Sequence, residues 1–131
     1  MGCECENNEC NEQIRRGIHE IREGIKDIEK GLNEVLEGKE REGIKDIRKG
    51  LREERKGVRE IRRGARHIDK DLADCLEDGL EDIEEGIEDV EEGLEDILEC
   101  EVCKGKEKIC KGIRELKEGL EKLIKCCKFK D

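Results

Sequence analysis

Glycine recurs at every seventh residue through most of this chain: at 17, 24, 31 and 38, then 43, 50, 57 and 64, then 79, 86 and 93, then 105, 112 and 119. Seven residues make two helical turns, and the residues between the glycines are helix formers such as Glu, Lys, Arg, Ile and Leu. Each glycine inside a helix nevertheless costs about 1 kcal/mol relative to alanine. The run GLEDIEEGIEDVEEGLEDI (79–97) alone carries three. An interaction with the same period has to offset that cost.

The neighbours supply it. The residue after a glycine and the fourth after it are usually aliphatic, as in Ile18 and Ile21, Ile25 and Ile28, or Ile87 and Val90. With these as heptad positions a and d, glycine falls at g. A column of small residues beside the seam lets antiparallel backbones approach closely, where dispersion contacts and Cα–H···O contacts accumulate. Gly17, Gly24, Gly31, Gly50, Gly57, Gly64, Gly79, Gly86, Gly93, Gly112 and Gly119 are the candidate close-packing positions. The pattern predicts an all-α fold, an antiparallel four-helix bundle built from two coiled-coil helical hairpins.

The period breaks in three places. The glycine step shortens to five between Gly38 and Gly43, and the Cys100–Gly105 step matches it, so LEGKEREG (36–43) and LECEVCKG (98–105) align as two hairpin turns. Between Gly64 and Gly79 the step is fifteen, one more than two heptads. The sequence thus predicts one domain over 1–131, with an N-terminal Cys-rich arm (1–9), a first hairpin over about 10–72 and a second over about 75–127, joined near KDLADCLEDG (70–79). A competing arrangement absorbs the extra residue in one continuous helix over 43–100.

Charge favours four helices. Net charge is −5 over 1–38, +5 over 39–71, −14 over 75–101 and +5 over 102–131, within a total of −10. An up-down-up-down bundle sets each sign beside its opposite, and such flanking charges choose orientation more than they add stability.

Composition narrows function. With 50% charged residues and 1% aromatics the chain resembles disordered sequences, but strict aliphatic periodicity argues for helix. No apolar run approaches a membrane span. The start, MGCECENNEC, lacks the apolar region of a secretory signal, and Glu6 stands where a myristoylation pattern needs Ser or Thr. The glycines lack the spacing of a phosphate-binding loop. Acidic groups such as Asp82, Glu84 and Glu85 read as a solvated face paired with basic neighbours, and His19 and His67 as surface residues at positions b and c. No nucleic-acid partner is expected at this net charge, although 39–70 is locally basic.

The reactive chemistry lies in nine cysteines: Cys3, Cys5, Cys10, Cys75, Cys100, Cys103, Cys110, Cys126 and Cys127. All nine are disulfide or cross-link candidates, and their odd number leaves at least one thiol free or joined to another chain. Folded up and down, the bundle gathers Cys3, Cys5, Cys10, Cys75, Cys126 and Cys127 at one end and Cys100, Cys103 and Cys110 toward the other. The competing assignment is a zinc site, with Cys100-x2-Cys103 and Cys110 as ligands or with ligands drawn from the six thiols at the other end. Disulfides point to an oxidising or extracellular assembly setting, the absent signal sequence points away from secretion, and location stays open.

The expected function is structural and non-enzymatic: a helical module stapled or cross-linked through cysteines at its ends and self-assembling, with no cofactor. Two alternatives stand beside it, a cysteine-rich metal-binding or redox protein, and an adaptor that binds a basic protein through its acidic third helix.

Overall fold

The computed structural model describes residues 9–127. Four helices follow one another, α1 (Glu12–Leu36), α2 (Glu40–Gly64), α3 (Lys70–Leu98) and α4 (Val102–Cys127), with a short 3₁₀ turn at Ala65–His67. α1 packs mainly on α2 and α3 on α4, while α1–α4 and α2–α3 meet less closely. The result is two hairpins assembled as an antiparallel four-helix bundle, with the aliphatic a and d residues forming one core.

Within each hairpin the glycines face one another. Gly17 lies against Gly57, Gly24 against Gly50 and Gly31 against Gly43 in the first; Gly79 lies against Gly119, Gly86 against Gly112 and Gly93 against Gly105 in the second. A Cβ placed on Gly17 would stand 2.7 Å from the Gly57 carbonyl oxygen, and one on Gly86 would stand 2.8 Å from that of Gly112. The absence of a side chain therefore sets the backbone separation. Each glycine also receives a d-position side chain from the opposite helix: Ile61 rests over Gly17, Ile21 over Gly57 and Leu116 over Gly86. The burial of Ile21, Ile61 and Leu116, all 0% exposed, offsets the glycines' helix cost, since each such side chain stabilises by about 1.5–3 kcal/mol.

Two turns close the hairpins in the same way. After α1 the Gly38 N–H donates to the Val35 carbonyl and the Lys39 N–H to the Glu34 carbonyl; after α3 the Cys100 N–H donates to Ile97 and the Glu101 N–H to Asp96. This is the Schellman arrangement, which needs a left-handed residue. Gly38 supplies it at φ 90° and Cys100 at φ 68°.

The junction between hairpins falls earlier than the 70–79 segment where the sequence places it, and α2 and α3 are not one helix. Residues 70–79 form the start of α3, and the chain turns over Ala65–Asp69. Ile68 is extended, and the Asp69 carboxylate accepts from the Leu72 N–H at 2.8 Å, capping α3. Asn11 acts similarly on α1, accepting from the Ile14 N–H while its Nδ2 donates to the Gly64 carbonyl, which ties the start of α1 to the end of α2.

The alternating helix charges meet as ion pairs at every neighbouring interface. Lys56–Glu20 joins α1 to α2, Lys122–Asp82 joins α3 to α4, Arg62 reaches both Glu77 and Glu84 across α2–α3, and Lys117–Glu29 crosses α1–α4. No helix among the described residues is long and apolar enough to cross a membrane.

Candidate functional site at the two ends of the bundle

The up-and-down path brings the start of α1, the end of α2, the start of α3 and the end of α4 to one end. There Cys10 is bonded to Cys127 and Cys75 to Cys126, with Cα separations of 5.4 and 6.0 Å. Both fall in the ordinary span for disulfides. Cys10 sits one heptad before Gly17, at the g column, and is 4% exposed within the core. The bonded cysteines are 117 and 51 residues apart in sequence, and in the chain-entropy model these closures, taken singly, are worth about 5 and about 4 kcal/mol. The chain is thus a cysteine-stapled helical module. Cys3 and Cys5, the other candidates for this end, lie outside the described residues.

The opposite end is chemically open. Cys100 and Cys103 are exposed at the α3–α4 turn, Cys110 is half-buried two turns into α4, and all three are free thiols. Their sulfurs do not form a common ligand set. Among the described residues, the group whose ligand atoms do converge, within 4.8 Å of one another, is Asp96, Glu99 and Glu101. Its buried member is already matched, because Lys108 Nζ stands 3.0 Å from Asp96 Oδ2. This close contact with Asp96, above all, raises the lysine's pKa.

His19 and His67 are both exposed, as their heptad positions indicate. The groove that carries His19 is lined by Cys10, Glu12, Arg15, Arg16 and Glu20, and the Cys10 sulfur is committed to Cys127. Of the acidic groups of α3, Asp82 pairs with Lys122, Glu77 and Glu84 with Arg62, and Glu91 with Arg55. These carboxylates face neighbouring helices.

One residue breaks the core pattern and escapes a reading based on where aliphatics fall. Glu54 occupies the d position four residues after Gly50, where the second hairpin has Leu116 after Gly112. It is 0% exposed, packs against Gly24, and neither carboxyl oxygen has a hydrogen-bond partner. Burial, assisted by the charge of Glu53, pushes its pKa up to about 9. The signal available in sequence is a single acidic residue in an otherwise aliphatic d column.

Along the outer edge of each hairpin, c-position carboxyls pair across the narrow interface. Glu53 is raised to about 7 by burial and by sharing a hydrogen bond with Asp27, and Glu115 is raised to about 7 by burial and its bond to Asp89. Glu34 is raised chiefly by its hydrogen bond to Asp46. Close backbones force these like groups together, so one member of each pair holds a proton more readily than a free carboxylate does.

No family model, curated protein or solved structure matches the chain.

Proposed function

We propose that this chain is a structural, non-enzymatic module, a short stiff helical rod closed by disulfides at one end and joined to another copy through thiols at the other. The supporting observation is the polarity of the cysteines. Four are consumed in Cys10–Cys127 and Cys75–Cys126, while Cys100 and Cys103 stand exposed at the opposite turn. Two rods meeting turn to turn would form one intermolecular disulfide. The two thiols lose two electrons and two protons to a small-molecule disulfide, which departs as two thiols. Rods joined only through the Cys100 and Cys103 end form a closed dimer. A filament would need thiols at the other end too, which only Cys3 and Cys5 could supply.

The non-enzymatic part rests on shape and chemistry. The grooves on the bundle are open to solvent, and the thiol beside His19 is locked in a disulfide, whereas active sites use enclosed pockets with converging polar groups. Oxidising the purified chain with glutathione disulfide and running denaturing gels with and without reductant tests the proposal. A reductant-sensitive dimer that disappears in the Cys100→Ser/Cys103→Ser double variant supports it. A ladder of larger multimers, or a monomer after oxidation, contradicts it.

A further inference from the structure

The α2–α3 interface is complete toward the disulfide end and incomplete toward the turns. On α2 the b and e positions from Arg41 to Arg66 are all Arg or Lys. α3 runs antiparallel beside them and presents Glu77, Glu84 and Glu91 at its e positions, which take Arg62 and Arg55. The next e position of α3 is Leu98, 49% exposed, and the helix ends there. Arg41, Lys45, Arg48 and Arg52 consequently lack an ion-pair partner among the described residues. They line two connected open grooves of about 380 and 560 Å³, whose apolar surface comes from Ile44, Leu51, Leu94 and Leu98.

We propose that this groove binds a second molecule's amphipathic acidic helix, which would continue the α3 pattern past Leu98 with leucine or isoleucine on the floor and glutamates on the cationic rim. The existing interface shows the matching chemistry: arginines of α2 meet glutamates of a helix lying antiparallel to it, and the groove prolongs that interface. From Arg41 to Arg52 it runs roughly 17 Å, about three helical turns of a partner. Such helix-in-groove recognition reads anchors spaced three and four residues apart. A two-fold contact between copies of this chain would set these arginines against one another. Glu91 and Glu95 form the opposite wall, so the occupant's acidic groups must all lie toward Arg41 to Arg52. An amphipathic helix can segregate them that way, whereas a phosphate backbone, charged along its whole length, fits less well.

The test uses the full disulfide-bonded chain and a fluorescein-labelled peptide of three Leu-Glu-Gln-Ile-Glu-Glu-Gln repeats, acidic on one flank of the apolar seam, read by anisotropy. Saturable, salt-sensitive binding is expected, weakened at least about tenfold by Arg48→Glu/Arg52→Glu and also weakened by Leu98→Glu. Arg63→Glu, on the exposed face of α2 away from the groove, should leave it unchanged. Circular dichroism melts establish that each variant is folded. Absence of saturable binding, equal binding of a scrambled peptide, equal binding by the Arg48/Arg52 variant, or tighter binding of a short DNA duplex would each overturn the assignment.

Discussion

Replacing Glu54 with leucine should stabilise the bundle and remove a large part of its pH dependence. The carboxyl is fully enclosed and makes no hydrogen bond, and its pKa stands at about 9, against about 4.5 for the unburied group. A raised acid binds its proton more tightly in the folded state. Its destabilising effect is therefore absent below about pH 4.5, grows through the interval and is complete above about pH 9. Between pH 6 and 8 both pKa values bracket the solution, so the loss is about 1.36 kcal/mol per pH unit, or about 2.7 kcal/mol in all. Leucine, which stands at the matching place in the second hairpin as Leu116, removes this titration and the unsatisfied polar atoms, themselves worth about 1–3 kcal/mol. Guanidinium unfolding of both chains with disulfides intact, at pH 6, 7 and 8, measures the difference. The other titrating groups are common to the two and cancel, apart from Glu53, whose charge contributes to the Glu54 shift. Parallel stability curves, or a leucine variant less stable than the parent at pH 8, would refute the placement of Glu54 in a dry core.

Other substitutions test separate parts of the fold by thermal or chemical melts. Gly86→Leu should cost about 1–3 kcal/mol or more through overpacking against Gly112 and Leu116, whereas Glu85→Leu on the exposed face should stay within about 0.5 kcal/mol; equal tolerance would reject glycine-limited packing. Cys100→Gly should stabilise by about 1–2 kcal/mol, because it relieves a left-handed non-glycine residue at a turn where the first hairpin already uses Gly38. Asp69→Ala should cost about 1 kcal/mol by uncapping α3, and no loss would argue against a helix start at Lys70.

The hairpins and their turns were legible because three signals with one period coincide: glycine at g, aliphatics at a and d, and charge reversing from helix to helix. The 36–43 and 98–105 turns announce themselves as matched breaks in that period. The junction at Ala65–Asp69 was harder, because Asp69 is one acid among many and only its hydrogen bond to Leu72 distinguishes it as a cap. The disulfide partners were not legible either. Read from the sequence, six cysteines fall at one end, and spacing does not separate Cys126 from Cys127 as the mate of Cys10. Glu54 does not stand out in the sequence, because a heptad pattern is recognised by the residues that obey it. The unpartnered rim of Arg41, Lys45, Arg48 and Arg52 depends on α3 ending at Leu98, which opposite net charges alone do not reveal.

The polarity of the cysteines is tested most directly by alkylating the unreduced, unfolded chain and mapping its peptides by mass spectrometry. The expected map has Cys10 linked to Cys127 and Cys75 to Cys126, with Cys100, Cys103 and Cys110 alkylated in the monomer. A disulfide joining any of those three to Cys10, Cys75, Cys126 or Cys127 would contradict a rod sealed at one end and reactive at the other.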